Sequence, residues 1–461
     1  MLEELRSRIG GLRTRSGIDL TGGPLLSGVL RYSLPLLLTG VLNLLYNAAD
    51  IVVVGNFAGA QALAAVGSTS SLINLLTNLF IGVSVGASVY IARCHGARDT
   101  EALSGGVHTA MTLALFLGFG VAVLGVAAAR PLLELMGSPE DVIDSAALYV
   151  RIYFAGSPFN MLYLFGAAIL RAVGDTRRPL YYLTLAGLIN VALNLLLVIV
   201  FRLAVAGVAI ATITSQAVSM LLVVRCLMNA DGPIRLKPRS LGLRKTAVRE
   251  MLVTGLPAGL QASLFSLSNV LIQSAVNSFG STVMAGNAAA SNLEGFVYTA
   301  MNTMQQSAMT FASANMGARK YTRVRRTLWV CLGTVTAVGL GFGLLVLACG
   351  RPLLSVYNSD PEVIAYGLIR LGVFMPVYFL CGIMDTMVGQ LRGIGHSVMP
   401  MIVSLTGACL LRMVWLATVF AADPTLNTLY LSYPVSWIVT GTVHMLCYAA
   451  VQRRLPRTDT L

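Results

Sequence analysis

Residues 170–179 read LRAVGDTRRP, and 221 residues later residues 391–400 read LRGIGHSVMP. The tripeptide GAR at residues 96–98 recurs at the same distance, at residues 317–319. One register therefore holds through nearly half of the chain. The sequence predicts two homologous lobes that arose by duplication of one unit.

Composition places both lobes in a membrane. Of the 461 residues, 56% are hydrophobic and 11% are charged, whereas the charged share of a soluble domain is near a quarter. Twelve apolar runs reach the roughly 20 residues that a helix needs to cross a bilayer, and we number them as spans 1 to 12. They cover residues 29–54, 62–92, 104–128, 146–170, 180–201, 204–228, 250–278, 284–314, 326–349, 365–391, 398–421 and 428–451.

Each copy of the repeat contains six spans. Because six is even, the second copy enters the membrane in the same direction as the first, and we expect a pseudo-twofold axis along the membrane normal. The predicted fold is all-α and integral to the membrane, with two homologous six-helix lobes. A cytoplasmic N-terminal segment, an N-lobe, a cytoplasmic linker, a C-lobe and a cytoplasmic tail are expected at residues 1–28, 29–228, 229–249, 250–451 and 452–461.

The net charge of +13 sets the orientation. Basic residues gather at the chain ends, in the linker and after spans 2, 4 and 8, which all face one side of the membrane. The opposite loops hold few of them, with Arg351 and Arg370 among those few, and collect acidic residues. The positive-inside rule makes both termini cytoplasmic, and the charge indicates contact with lipid head groups and no nucleic-acid partner. The linker is expected to be turn-rich, or in part an amphipathic helix on the membrane.

Each GAR tripeptide ends a span. There its glycine permits the left-handed C-cap, and its arginine is expected to face lipid phosphate. Arg171 and Arg392 are each followed three residues later by glycine, and we expect the same arrangement after spans 4 and 10. These matches indicate duplication and structural roles, not chemistry.

Motif searches indicate no enzyme and no metal site. The seven cysteines are scattered without a CxxC pair, no P-loop sequence occurs, and the four histidines are isolated. The sequence therefore predicts no catalytic residue, no metal and no cofactor. We expect a monomer.

Ionisable side chains inside a span cost about 2.5 to 3.5 kcal/mol on insertion scales, so each needs a reason. Asp50 on span 1 is the candidate in the first lobe, with Tyr46 one turn earlier. Amides and a hydroxyl on spans 4 to 6 could hold the acid neutral or hold it ionised around a cation; they are Asn160, Asn190, Asn194 and Thr212. Alternatively Asp50 lies at a solvated helix end, since Asn56 follows six residues later.

The second lobe carries different chemistry. The position equivalent to Asp50 falls near Leu271 or Ile272, both apolar, while Glu294 on span 8 and Asp385 on span 10 lie inside apolar runs. We regard these two acids as candidate cation or substrate sites. Arg412 on span 11 could pair with one of them, and such a pair would be structural.

The order and doubling of these features resemble the multidrug and toxic compound extrusion (MATE) family. The resemblance rests on SLPLLLTGVLNLLYNAADIVVVGNFAG at residues 33–59, on both GAR tripeptides and on LRAVGDTRRP, and it covers residues 25 to 450. It implies a V-shaped pair of lobes that exports amphipathic, often cationic compounds in exchange for H⁺ or Na⁺. No cofactor beyond the coupling ion is implied.

The resemblance also implies roles for single residues. Prokaryotic members use an aspartate of the first helix as a protonation or cation site, with a tyrosine one turn earlier and a proline near the inner end; Asp50, Tyr46 and Pro35 match these positions. The family pairs that aspartate with an asparagine and an aspartate on the fifth helix. Asn190 matches the first, but Asn194 replaces the second, so one carboxyl stands where two are expected.

Together these observations predict a proton-coupled or sodium-coupled antiporter of the bacterial inner membrane, with alternating access between two lobes and Pro35 as a hinge. A lipid-linked saccharide flippase of the same superfamily is one alternative, disfavoured because Arg412 is the deep basic residue that the spans offer. A membrane-embedded enzyme or respiratory subunit is the alternative from another class. It is disfavoured because all three lysines lie in segments predicted to be cytoplasmic.

Overall fold

The computed structural model describes residues 17–53, 57, 60–135, 140–456, 458 and 459. Within these ranges the chain consists of helices, turns and short irregular connections, without a β-strand. The first repeat contains α1 Leu25–Val53, α2 Ala60–Ala97, α3 Thr100–Leu135, α4 Glu140–Ala155, α5 Ser157–Ala172, α6 Arg177–Asn194 and α7 Ala204–Met228. A π-helical turn, Leu195–Val200, extends α6. The all-α prediction is confirmed.

The second repeat follows the same order. It contains α8 Lys245–Asn277, α9 Ser281–Gly317, α10 Tyr321–Ala348, the short α11 Gly350–Ser355, α12 Pro361–Phe374, α13 Phe379–Gly393, α14 Val398–Ser404, α15 Leu411–Trp415 and α16 Leu426–Gln452. A 3₁₀ turn, Met375–Val377, joins α12 to α13, and π-helical turns at Leu405–Leu410 and Leu416–Phe420 flank α15.

Two of the predicted spans are bent. α4 and α5 meet at 46°, and α12 and α13 meet at 52°. Pro158 near the start of α5 and Pro376 in the 3₁₀ turn explain both bends, because proline has no N–H to donate and clashes with the preceding turn.

The spans are not equally apolar. Nine helices in the described ranges are long and apolar enough to cross a bilayer, and eleven spans result when each bent pair counts once. The remaining predicted span, span 8 at residues 284–314, forms the 37-residue α9, which misses that criterion because polar residues recur along it. Asn287, Glu294, Ser307 and Asn315 are all at least 95% buried, so the protein interior, not lipid, surrounds them.

Corresponding helices end with the same backbone geometry in both repeats. Arg98 directly follows α2 and has φ 56°, and Arg319 lies two residues after the end of α9 and has φ 55°. In both, the amide of the next residue donates to the carbonyl five residues back, at 3.2 and 2.9 Å, which is a Schellman cap. The prediction for the GAR glycines is wrong: Gly96 and Gly317 lie within the last helical turn, and the arginine adopts the left-handed conformation.

The caps that follow α5 and α13 do use glycine. Gly174 has φ 89° and Gly395 has φ 99°, and the next amide again bonds the carbonyl five residues back, at 2.9 Å in both repeats. The prediction for Arg392 is wrong, since this side chain is 7% exposed and donates to Gln261 Oε1 at 2.8 Å. It therefore stabilises the interior and does not face lipid phosphate.

Contacts divide the chain into two compact units. The first consists of Met1–Leu20 and Leu34–Leu252, and the second of Thr21–Ser33 and Val253–Leu461. Each unit thus contains most of one repeat together with the first turns of the other repeat's leading helix. In α1 the division falls just before Pro35, and in α8 it falls four residues before Pro257.

The linker lies on α3 in the first unit. Between α7 and α8 the chain forms 3₁₀ turns at Gly232–Ile234 and Pro238–Ser240, so the alternative of an amphipathic helix is wrong for this segment. Three of its backbone amides bond side chains of α3. Lys237 N donates to His108 Nε2 at 3.0 Å, Gly242 N to Thr112 Oγ1 at 3.1 Å and Arg244 N to Thr109 Oγ1 at 3.1 Å.

Replacing Gly174 by alanine tests the shared cap. The left-handed conformation costs an L-residue roughly 1–2 kcal/mol, and a Cβ at this position would overlap the carbonyl oxygen of Ile18. We expect Gly174→Ala to lower the thermal unfolding midpoint of the purified chain. Gly120→Ala is the matched control, since a Cβ there meets no atom within 4 Å and alanine favours helix. Equal midpoints for the two variants would contradict the assignment.

Candidate functional site

The first unit brings Asp50 against α6. Asn194 Nδ2 donates to Asp50 Oδ1 at 2.5 Å. Asp50 is half-buried, and this is the hydrogen bond of its carboxylate in the described chain. No lysine or arginine of the described chain forms an ion pair with it. A carboxylate at membrane depth is thus held by an amide and not by a cation.

A short chain of polar groups continues from Asn194. The same amide nitrogen lies 3.2 Å from Asn190 Oδ1, and Asn190 Nδ2 lies 3.5 Å from Ser215 Oγ on α7. Asn190 and Asn194 are one turn apart, so they share a face of α6, and they are 6% and 1% exposed. Asn194 Oδ1 is buried and has no hydrogen-bond partner in the described chain. The predicted grouping of Asp50, Asn190 and Asn194 therefore exists as a connected cluster.

Tyr46 contacts α6. Its hydroxyl donates to the carbonyl oxygen of Thr184 at 3.2 Å, and its ring lies where a Cβ of Gly187 would be. Glycine at residue 187 is thus what allows the ring to approach. Tyr46 thus connects α1 to α6 about one turn from Asp50. This contact stabilises the position of the helix that carries the carboxylate.

Two other predicted members do not reach Asp50. Thr212 donates its hydroxyl to Val208 O at 2.9 Å, within its own helix. Asn160 is half-buried on α5 and makes no hydrogen bond to Asp50 in the described ranges. Asn56, the marker of a solvated helix end, lies outside the described residues.

Sequence reasoning missed the tyrosines around this cluster. Tyr149 lies close enough to Asp50 to sense its charge, and Tyr149 and Tyr153 stack with ring centroids 6.4 Å apart. Tyr153 also hydrogen-bonds Thr77 and Gln216. Their spacing of four residues in span 4 was the available signal, because it places both rings on one helix face.

Glu294 in the second unit is fully paired. Arg370 Nε and Nη2 donate to its two carboxylate oxygens at 2.6 and 2.8 Å, and the two residues are 5% and 7% exposed. The remaining guanidinium nitrogen donates to Asn287 Oδ1 at 2.5 Å, which also accepts from Tyr430 at 3.2 Å. The prediction of Arg370 as a loop residue is wrong, and so is Arg412 as the partner of Glu294.

Asp385 is less strongly paired than Glu294. The Tyr298 hydroxyl hydrogen-bonds its carboxylate, and the charges of Arg392 and Arg412 act on it from nearby. Arg412 itself donates to Ser436 Oγ at 2.8 Å and lies 4.0 Å over the ring of Tyr433. No ion pair joins Arg412 to Asp385 within the described part of the chain. Asp385 is buried, 8% exposed, among positive charges.

Pro35 lies buried inside a continuous α1. Its ring removes the N–H that would bond the carbonyl of Arg31, and Thr39 donates its hydroxyl to the Pro35 carbonyl at 2.7 Å. The division between the two units falls between Ser33 and Leu34. These are the features of a position where a helix bends at low cost.

Comparison with known proteins identifies a family match and relatives of this chain. The MatE family model matches residues 35–196 and again residues 257–418. The probable multidrug resistance protein YoeA of Bacillus subtilis is 29% identical, over 81% of this chain and 82% of that protein. An FAD transporter of Shewanella oneidensis is 25% identical over 94% and 96%. These relatives are transporters and not enzymes, as the sequence predicts.

Solved structures share the fold. A MOP superfamily transporter from Pyrococcus furiosus has a TM-score of 0.89 and 21% identity, over 97% of this chain and 100% of that one. An outward-facing multidrug resistance MATE family transporter also has a TM-score of 0.89, with 22% identity over 97% and 100%. The doubled family match covers most of the chain and confirms the two-lobe fold of twelve spans. The chain belongs to the multidrug and toxic compound extrusion (MATE) family of membrane transporters.

Proposed function

We propose that the protein exports amphipathic, cationic compounds by antiport with H⁺, or alternatively with Na⁺, and that Asp50 is the coupling group. The observation that carries this proposal is the Asp50–Asn194 contact within spanning helices. A carboxylate held there by an amide alone changes its interactions strongly when it gains a proton or a cation.

The contrast with Glu294 supports the choice of Asp50. Arg370 already neutralises Glu294 through two hydrogen bonds, so protonating Glu294 would leave a buried guanidinium without its counter-charge. Asp50 has no such partner in the described chain. Its charge is therefore free to be cancelled by an ion that comes from solution.

The Asn194 amide is suited to both protonation states of Asp50. The ionised carboxylate accepts from Asn194 Nδ2, as observed. A protonated Asp50 would instead have a hydroxyl to donate, and Asn194 Oδ1 is a buried acceptor without a partner in the described chain. A rotation of the amide exchanges one arrangement for the other. In our proposal this exchange shifts α1 against α6 and bends α1 at Pro35, and substrate is released.

One proton per cycle is enough for efflux. Exchange of one proton for one monovalent cation moves no net charge, so the pH difference alone drives it, by about 1.4 kcal/mol or tenfold in substrate concentration per pH unit. We place the protein in the bacterial inner membrane with both termini cytoplasmic, because the basic residues gather at one side of the predicted topology.

Asp50→Asn tests the coupling. The variant keeps the size and hydrogen-bonding reach of the side chain but cannot ionise, so we expect it to lose the pH-driven accumulation, which is about tenfold per pH unit. The measurement is uptake of a cationic dye into everted vesicles, with H⁺ and Na⁺ gradients imposed separately. Asn43→Ala, an exposed asparagine of α1, is the control and should transport normally. Unchanged pH-driven and Na⁺-driven uptake by Asp50→Asn would exclude this role.

The same assay separates substrate classes. The B. subtilis relative is named for multidrug resistance and the S. oneidensis relative for FAD, and FAD is an anion, whereas the substrate that we propose is a cation. We expect the dye, and not FAD, to be exchanged against the ion gradient. Transport of FAD alone would overturn the cationic substrate and leave the role of Asp50 intact.

Glu294→Gln tests the structural pair. It leaves Arg370 buried without a counter-charge, and breaking such a pair costs about 3–5 kcal/mol. We expect a large fall in the thermal unfolding midpoint, and recovery in the double variant Glu294→Leu, Arg370→Met, which replaces both charges by apolar groups. The double variant should keep ion-driven transport. A folded double variant without coupling would assign Glu294 to the transport cycle.

A further inference from the structure

A long apolar groove runs along the second unit, between the first two turns of α1 and the exposed side of α10. Its volume is about 790 Å³. Leu26 and Leu30 form the α1 wall and are 53% and 46% exposed, while Trp329 of α10 is 71% exposed. These side chains are available to an apolar occupant.

Small residues form the floor of the groove. Gly333, Ala337 and Gly341 follow one another at intervals of four and share a helix face. A Cβ at either glycine would meet no atom within 4 Å, so open space lies above both. From Trp329 to Leu345 the groove follows α10 for about 24 Å, at 1.5 Å per residue. That length fits within a hydrocarbon layer of roughly 30 Å.

In the first repeat, the linker covers the face of α3 that corresponds to the groove face of α10. α3 and α10 begin at residues 100 and 321, so their residues correspond at a distance of 221. Trp329, Val330 and Gly333 thereby correspond to the three α3 residues that bind the linker amides, His108, Thr109 and Thr112. The linker covers this face of α3 in the first unit, whereas the corresponding face of α10 is open in the second unit.

The chain before α1 does not fill the groove within the described residues. Residues 21–23 reach only the first turn of α10, where Lys320 Nζ donates to Thr21 O at 2.8 Å and Arg323 donates to Gly22 O at 2.6 Å. Before them Leu20 is buried in the first unit, 1% exposed. The contacts of Lys320 and Arg323 instead hold the two walls together at the start of α10.

A positive charge stands at this end of the groove. Arg326 is exposed and precedes Trp329 and Val330 by three and four residues, so it shares their face. It forms no ion pair or hydrogen bond in the described chain. Its counterpart in the first repeat is Gly105, on which Arg244 of the linker packs. Four more basic residues lie nearby, namely Arg319, Lys320, Arg323 and Arg325. The nearby acidic residue Asp459 accepts a hydrogen bond from the Thr322 amide at 2.8 Å.

We propose that this groove binds one anionic phospholipid, with an acyl chain along Gly333, Ala337 and Gly341 and the phosphate at Arg326. An acyl chain matches the apolar walls, and a basic cluster beside a spanning helix attracts anionic head groups. The lipid contacts Leu26 and Leu30, which lie on α1 before Pro35. A bound lipid therefore holds the first turns of α1 against α10.

Native mass spectrometry of the full chain, titrated with phosphatidylglycerol or phosphatidylcholine of identical acyl chains, tests this site. We expect phosphatidylglycerol to be retained preferentially. Arg326→Gln should weaken its binding about fivefold, since a basic residue near an anionic surface contributes about 1 kcal/mol. Arg239→Gln removes one exposed charge from the linker and should change nothing. Gly333→Leu fills the groove and should remove the site, whereas Gly120→Leu on α3 should not.

Three results would overturn the proposal. One is equal retention of phosphatidylglycerol by the wild type and by the Arg326 and Gly333 variants, with thermal unfolding confirming that all are folded. Another is a dimer that Gly333→Leu dissolves, because the groove would then be a helix interface between copies. The third is several-fold stronger lipid binding after deletion of residues 2–16, which would make that segment the occupant.

Discussion

Hydrocarbon offers a charged side chain neither water nor a hydrogen-bond partner, and this constraint determines where the polar residues of the protein lie. An ionised group at membrane depth costs about 2.5 to 3.5 kcal/mol on insertion scales, so it persists where other groups compensate it. Glu294 is compensated by Arg370, at 2.6 and 2.8 Å, and Asp50 is compensated by the Asn194 amide. The first solution fixes a charge permanently. The second leaves the charge open to exchange.

The two repeats share a backbone but not this chemistry. Their helices end with left-handed residues of nearly equal φ, 56° and 55° in the GAR segments, so duplication preserved the caps. Residue 50 corresponds to Leu271 or Ile272 in the second repeat, and neither carries a carboxylate. The two repeats therefore share the backbone geometry of these caps, while the carboxylate occurs in one repeat and not at the corresponding position of the other.

Local patterns predicted the fold and part of the site. Apolar runs of about 20 residues are sufficient to locate membrane helices, and they did so even for α9, whose buried polar face lowers its hydropathy. The grouping of Asp50 with Asn190 and Asn194 was also accessible, because amides one turn apart in a span have few other reasons to be there. These inferences depend on residues near one another in sequence.

Partners that are distant in sequence could not be predicted in the same way. Arg370 lies 76 residues from Glu294. It is near the start of predicted span 10, and it was counted with the preceding loop because Asp360 and Glu362 are close in sequence. Arg392 follows a helix end in sequence, yet it bonds Gln261 on α8. Both are cases in which the packing of helices, and not the local sequence, supplies the counter-group. Tyr46 is similar, since its contact depends on the absence of a side chain at Gly187.

Asparagine at residue 194 limits what the proposed exchange can carry. Two carboxylates one turn apart would share protons, because like charges at such a distance do not both remain ionised at low cost. With an amide in that place, the cluster contains one ionisable group, and each cycle can move at most one charge through it. Arg370 holds Glu294 out of this exchange. Exchange of that charge for a monovalent cation moves no net charge, so the gradient of the coupling ion alone drives it, by about 1.4 kcal/mol per tenfold gradient, which suits export against a modest gradient.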